Sequence, residues 1–459
     1  MADSQLAALE FFLQDHPEIT YVPPFSPYYP AARKVWNVGR PDRPLAFLYP
    51  QSAEDVSAIV RYAKSAGIKF TIRAGGHNLE GRSIVENALT VDLRALRSVH
   101  VAADHQSATV GGGILASELG NELWKEGVAT PLGAIPSVGY VGWATYGGYG
   151  SFSSNWGLGA DQILGATLVN ADGDIVKADE GLLKGLRGGG GVFGVIVDIT
   201  IKVYPLKSLL AGAIMFNSQD VTNTFIDFNA EYEKLQDEGI PLELTVQQIC
   251  FNAPPGRVYG VIFVWSGDDL EEGKRWNERI SSLGPVVMNT VAVTTVPEYY
   301  AGNAGLVPNS AYGSTRTLNI RRTTPEVARA IGSSLAKMPS DPVTMLSVHQ
   351  LRGPSAAPKE NSVFGTREPH FMLEIIGCAT AQEVREFSEE WAAHVVNAVQ
   401  QTDSANILST VYASLYPLGK GCQSSTLNKI FGSHTQEILA LKDRYDPENV
   451  FSLTVPELK

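Results

Sequence analysis

Cysteine is scarce in this chain. Cys250, Cys378 and Cys422 are spread over 459 residues with no CxxC spacing, which argues against a disulfide framework and a thiolate zinc site. Clusters of Lys and Arg are also missing. With 36 basic and 48 acidic residues the formal charge is −12, a balance that suits neither nucleic acid nor an anionic membrane as partner. No run of 18 apolar residues occurs, and the start Met1-Ala2-Asp3-Ser4-Gln5 lacks the basic and apolar regions of a secretory leader. A soluble, cytoplasmic protein is the expectation. The P-loop pattern GxxxxGK[ST], the GxSxG elbow and the HExxH and HxH metal spacings are absent too, so no metal site is expected.

Glycine is what the chain has in quantity, 44 residues, and much of it falls into three clusters in the first half. The first is Arg73-Ala74-Gly75-Gly76-His77-Asn78, entered from the β-rich run Ile68 to Ile72 and followed by Gly81. A glycine pair beside an arginine lets successive backbone N–H groups close on an anion, and His77 would then stand next to whatever carries that anion. The other reading is a tight surface turn with an incidental histidine. The second cluster runs from Gly133 through Gly139 and Gly142 to Gly147-Gly148-Tyr149-Gly150, and the third is Arg187-Gly188-Gly189-Gly190-Gly191-Val192-Phe193-Gly194. Such density suits a backbone that approaches a ligand closely, or a loop-rich β domain. Gly189, Gly191 and Gly194 fit GxGxxG, but an alternating strand, Val195 to Val203, follows where a dinucleotide fingerprint needs a helix, so a Rossmann site is rejected.

The coarse pattern is α+β. Ser52 to Asp55 opens a helix that Gly67 closes, between strands, as a β-α-β unit. Leu89 to Asp92 is a strand, Ser98 to Val110 and Leu164 to Lys177 are hairpins, and Ile114 to Glu126 is a helix. Later, strands at 242–251, 258–265, 343–351 and 371–376 alternate with helices at 269–283, 325–337 and 382–399, which predicts one sheet with helices packed on a face. Three zones are expected: residues 1–205, 206–404 and 405–459.

Taken together, Arg73 to Gly81 (R-x-G-G-H-x-x-x-G), Gly133 to Gly150 continued by Gly157-Leu158 and Asp161, Leu186 to Gly194 (L-R-G-G-G-G-x-F-G) and Leu441 to Phe451 resemble the flavoproteins of the vanillyl-alcohol oxidase and p-cresol methylhydroxylase superfamily. The likeness is strongest to the berberine-bridge-enzyme-like oxidases, including the hydroxynicotine oxidase type, and covers nearly the whole chain. It implies a PCMH-type FAD-binding domain in two parts, 1–205 completed by 405–459, around an α+β substrate domain with an antiparallel sheet covered by helices. It implies that FAD is held by Arg73, Ala74, Gly75, Gly76, His77, Asn78, Gly81, Pro136, Ser137, Val138, Gly139, Gly142, Thr145, Gly147, Gly148, Gly150, Gly157, Val195 and Ile196. His77 would be bonded to the flavin 8α-methyl group. Ile135 stands where many relatives carry a cysteine that forms a second bond, so a single covalent link is expected. Val138 would lie near the oxygen-reactive face of the flavin. Tyr146 in place of a glycine, Val192 in place of an asparagine and Leu453 to Pro456 in place of an N-Q-N run are departures from the pattern, and Trp143 and Tyr146 would either narrow the pocket or pack in the core.

Flavin oxidation also needs a base for a substrate proton. Glu374 is the leading candidate, because it interrupts the apolar strand Phe371 to Ile376, where an unpaired carboxyl is costly to ionise. His349 and Gln350 lie on a neighbouring strand, and alternation lets only one of them face the site. Tyr412 and Tyr416 fall where the family places tyrosines near the flavin. The reading is an oxidase for a small natural-product alcohol, amine or activated C–H with O2 as acceptor. A flavin-dependent dehydrogenase or oxidative cyclase is one alternative; a non-redox scaffold that retains FAD is another.

Overall fold

Three large sheets and a two-stranded pair, Val128–Ala129 with Tyr204–Pro205, organise the described residues. The computed structural model describes residues 2–459 except 80, 255, 306, 307, 309, 419, 420 and 422. Cys422 therefore lies outside the described residues, and Cys250 and Cys378 are buried free thiols. Among the described residues no helix is long and apolar enough to cross a membrane.

The first sheet orders its strands Thr20–Val22, Ala46–Tyr49, Leu89–Asp92, Phe70–Arg73. The last three are parallel, as a helical crossover requires. That crossover is Ala53–Ser65. Ser52 accepts the Asp55 amide while the Asp55 carboxylate accepts the Ser52 amide, which satisfies the first orphan donors. Gly67, at φ +63°, stops the helix. Leu89–Asp92 inserts between the two strands of the expected β-α-β unit.

The second sheet is antiparallel, in the order Val99–Val101, Ser107–Gly111, Val195–Lys202, Ile163–Val169, Ile175–Lys177. Both predicted hairpins are in it. The strand Val195–Lys202 follows the third glycine cluster directly, so the GxGxxG run does not open a helix.

The third sheet is antiparallel and runs Val286–Asn289, Leu209–Phe216, Gly256–Trp265, Leu244–Ala253, Met345–Leu351, His370–Ala379, Tyr312–Ile320. Its two faces differ. Val246, Phe263, Val348, Leu373 and Ile375 share a core with Phe225, Phe228, Ile331 and Val395 from the helices Val221–Glu238, Pro325–Leu335 and Arg385–Gln400. Ala211, Met215, Ile249, Ile262 and Val264, on the other face, join the core built by Leu119, Tyr140, Leu186 and Phe193. The helices thus cover one face, and the other turns toward the glycine-rich half. Leu209–Phe216, Tyr312–Ile320 and Val221–Glu238 are elements that the sequence reading did not pick out.

The tail returns to the first half. Phe431 and Ile438 join the core of Leu186 and Phe193, and Phe451 meets Phe70 edge to face at 5.8 Å. Buried Lys442 donates to the Val192 carbonyl at 2.7 Å and to Asp446 at 2.6 Å, and Asp446 accepts the amides of Val450 and Phe451.

Beneath the first glycine loop, Arg73 Nε donates to Asp92 at 2.7 Å, with the two side chains 1% and 0% exposed. Asp92 also accepts from Arg94, whose side chain is 48% exposed. Breaking a buried pair strands a charge, whereas a half-exposed arginine is screened by water. Asp92→Ala is expected to lose about 3–5 kcal/mol and Arg94→Ala no more than about 1 kcal/mol, read from urea unfolding midpoints. Equal losses in the two variants would refute this ranking.

Candidate functional site

The first two glycine clusters touch backbone to backbone. A Cβ on Gly75 would overlap the Gly139 nitrogen and stand 2.6 Å from the Ser137 carbonyl oxygen. A Cβ on Gly139 would stand 2.8 Å from the Gly75 nitrogen. Only glycine permits that approach. It brings His77 and Ser137 together: His77 Nε2 lies 2.9 Å from Ser137 Oγ, and the ring stacks on Trp36 at 6.0 Å. Gly76 turns the loop at φ +71°. Asn78 accepts the Arg82 amide at 3.0 Å, and the Gly81 amide donates to the Asn78 carbonyl at 3.2 Å, which closes the turn.

Several of the other glycines make room for protein side chains or backbone. The space over Gly147 and Gly188 is filled by Phe364. Trp143 fills the space over Gly133, Gly148 and Gly159, and Tyr146 that over Gly190. Gly150 abuts the Leu132 carbonyl and Gly157, at φ +97°, abuts Asp161. Trp143 and Tyr146 are thus packing groups. Tyr146 also donates its hydroxyl to the Val455 carbonyl, so two departures from the family pattern, Tyr146 and the run Leu453 to Pro456, are in contact with each other. Gly142 is different. It is exposed near the start of the helix Tyr140–Thr145, with nothing within 4 Å of where a side chain would stand.

The remaining cofactor candidates are placed as follows. The Arg73 side chain is committed to Asp92 and the Ala32 carbonyl beneath the loop, so only its backbone and that of Ala74 border the loop surface. Pro136 and Val138 accept from Ser117 and Ala116 at the start of the helix Ala116–Lys125, and Ile135 is partly exposed beside them. The Thr145 hydroxyl donates to the Val141 carbonyl at 2.8 Å. Val195 and Ile196 are buried in the second sheet.

Opposite these loops, the free face of the third sheet carries a polar file. Glu374 Oε2 is 2.8 Å from His349 Nε2. Ser347 Oγ is 3.2 Å from the same nitrogen, and the Gln247 amide donates to Ser347 at 2.7 Å. Glu374 therefore has a partner, which corrects the expectation of an unpaired carboxyl. Alternation works as predicted: His349 faces the file, while Gln350 points to the helical side and accepts from Tyr232 at 2.7 Å.

Aromatic rings border the file. Tyr149, from the second glycine cluster, approaches His349 edge to face at 6.5 Å and Tyr412 at 4.6 Å. Phe364, Met372, Leu158 and Leu351 complete this cluster. The Tyr412 hydroxyl is buried, and burial pushes its pKa up to about 12. It is therefore a neutral donor and not a phenolate. Tyr416 does not join this group. Its hydroxyl accepts from Lys429 at 3.3 Å, because the short helix Ala413–Leu415 turns it away from Tyr412. Tyr149, Gln247, Ser347 and His370 were not singled out from the sequence. Only Tyr149 carried a local signal, as the single side chain in Gly147-Gly148-Tyr149-Gly150.

Across the boundary between the two halves, buried Asp161 pairs with Arg367 at 2.7 Å. The glycine-loop half and the third sheet are thereby fixed relative to each other at the site.

Residues 44–179 match the FAD binding domain family. The chain is 30% identical to an FAD-linked oxidoreductase of Gibberella zeae, aurO, over 93% of this chain and 83% of that protein. It is 28% identical to (R)-6-hydroxynicotine oxidase of Paenarthrobacter nicotinovorans over 92% of each. The fold superposes on Physcomitrella patens BBE-like 1 with a TM-score of 0.83 at 19% identity, covering 98% of this chain and 99% of that one.

Two histidines border the site in neutral form. Desolvation lowers the pKa of His77 to about 4. It does the same to His370, although the Glu368 carbonyl, 2.7 Å from Nδ1, favours the charged ring. The proton on Nδ1 leaves His370 Nε2 to accept from Tyr149 at 3.1 Å. A histidine in the unfolded chain titrates near 6.5, so between pH 6.5 and 4 the unfolded state binds protons that the folded state refuses. The stability contribution is complete above pH 6.5 and is lost as pH falls toward 4. His370→Gln is expected to flatten the decline in urea midpoint from pH 6.5 to 4.5, by up to about 1.4 kcal/mol per pH unit. An unchanged slope would show that His370 is not held neutral.

Proposed function

This chain belongs to the family of FAD-linked oxidoreductases, and we propose that it is an oxidase of the berberine-bridge-enzyme-like kind, acting on a small natural-product alcohol, amine or activated C–H with O2 as the acceptor. The observation that carries this reading is the placement of an acid–base pair, Glu374 and His349, on the free sheet face directly beside Tyr149 of the glycine loops. The similarity to a hydroxynicotine oxidase along nearly the whole length supports an oxidase acting on a small molecule.

The residues present fit a flavin. Gly142 leaves an open backbone near a helix start, and Gly75 and Gly139 put no side chain between the two loops. Gly75, Gly76, Gly139 and Gly142 would hold the cofactor by backbone approach. His77 would form the only covalent tether. Its ring is neutral, so a nitrogen lone pair is available, Ser137 and Trp36 fix its orientation, and Ile135 offers no second nucleophile. When bound, FAD supplies the acceptor for a hydride from substrate carbon.

The chain's own residues do the rest. The Glu374–His349 pair takes the substrate's O–H or N–H proton. Tyr149 and Tyr412 offer neutral hydroxyls for orientation. Phe364, Met372 and Leu158 exclude water from the wall. Residues 1–205 with 405–459 would form the cofactor-holding part and 206–404 the substrate part. This division is supported by Phe431 and Ile438 packing with Leu186, and by the two different faces of the third sheet.

Acid-precipitated wild-type protein is expected to stay yellow, whereas His77→Ala should give a colourless pellet with FAD in the supernatant. A colourless wild-type pellet would remove the covalent tether from this scheme. Under air, one H2O2 is expected per substrate oxidised; turnover that needs an artificial acceptor and yields no H2O2 would make the enzyme a dehydrogenase.

A further inference from the structure

Within the Glu374–His349 pair, two groups compete for the role of proton acceptor, and the hydrogen-bond pattern separates them. Every polar neighbour of the His349 ring gathers at Nε2: Glu374 Oε2 at 2.8 Å, Ser347 Oγ at 3.2 Å and Gln247 Nε2 at 3.4 Å. Among the described residues none reaches Nδ1. An ionised carboxylate only accepts, and His349 Nε2 is the donor that reaches Glu374. The ring proton therefore belongs on Nε2. Ser347 accepts from Gln247 at 2.7 Å, and the second lone pair of its oxygen is available to the ring N–H 3.2 Å away. The lone pair of the neutral ring is left on Nδ1. His349 keeps 17% of its side chain exposed and Glu374 23%, and Tyr149 of the second glycine cluster stands edge to face with the ring at 6.5 Å.

We propose that the base of this site is His349 acting through Nδ1, and that Glu374, Ser347 and Gln247 are positioning residues that hold the ring in its Nε2–H tautomer. The logic is that of any imidazole oriented by a carboxylate on its far nitrogen. As the substrate carbon gives up a hydride to the bound flavin, its O–H or N–H proton passes to Nδ1. The resulting imidazolium is stabilised across Nε2 by the Glu374 carboxylate 2.8 Å away. One hydride and one proton leave the substrate, and a C=O or C=N bond forms. The assignment rests on the oxidoreductase reading above for its substrate, but not for its tautomer.

The test reads the tautomer directly. Protein labelled with 15N-histidine, with His349 assigned through His349→Asn, is expected at pH 8 to show the proton on Nε2 and the lone pair on Nδ1. In Glu374→Leu the acceptor is gone and Ser347 becomes free to donate to Nε2, so the ring is expected to shift toward Nδ1–H. A wild-type ring already carrying its proton on Nδ1 would overturn the proposal, whatever the fate of the variant. A kinetic arm uses (R)-6-hydroxynicotine as the probe amine in anaerobic flavin reduction. His349→Gly is expected to slow bleaching by about 10²–10⁴-fold, with partial recovery on adding imidazole. A His349→Gly enzyme that reduces as fast as wild type would also overturn the assignment. Failure of the probe to bleach wild-type flavin bears on the substrate reading alone, since the tautomer is still measured.

Discussion

The contact between Gly75 and Gly139 is the constraint on which the site depends. Two loops far apart in sequence meet there with no side chain between their backbones, and His77 and Ser137 become neighbours as a result. Any Cβ at either position would push the loops apart. The buried Arg73–Asp92 pair anchors the first loop from below, and the helix Ala116–Lys125 anchors the second through the carbonyls of Pro136 and Val138. The loops are thus held by groups pointing into the protein, with His77 and Ser137 paired beside the contact.

The third sheet supplies the other wall by a division of labour between its faces. One face is largely apolar and sealed by helices, and its polar groups are paired: Asn229 and Gln248 exchange hydrogen bonds, Tyr259 donates to Gln248, and Tyr232 donates to Gln350. The other face carries Gln247, Ser347, His349 and Glu374 in line across three adjacent strands. A polar file there avoids the cost of burial because its members satisfy one another and part of each side chain stays open. The Asp161–Arg367 pair then fixes this wall against the glycine loops.

Local chemistry made much of this legible. Helix Ala53–Ser65 was marked at both ends by its capping residues, and both N-terminal hairpins by alternation and a polar turn. Glu374 stood out as one carboxylate in an apolar strand. What stayed hidden were elements whose signals are long-range. Leu209–Phe216 reads as a plain apolar run, and Tyr312–Ile320 buries Thr315, Thr317 and Asn319, which breaks the apolar alternation of a strand. Gln247 and Ser347 are unremarkable in sequence and gain meaning only when three strands align their registers.

The sequence by itself determined the family, through four motifs in fixed order, and singled out a histidine at the end of a Gly-Gly turn. These follow from local backbone needs and from residue type, which a sequence states directly. Tertiary structure alone decided that Arg73 anchors the loop from below and does not face its surface, that Trp143, Tyr146 and Phe364 fill the space over Gly133, Gly147, Gly148, Gly159, Gly188 and Gly190, and that Tyr416 stands apart from Tyr412. It also decided that Glu374 lies 2.8 Å from His349 Nε2. Each of these is a contact between residues distant in the chain, fixed by which strand faces and loop surfaces pack together, and no local pattern encodes that.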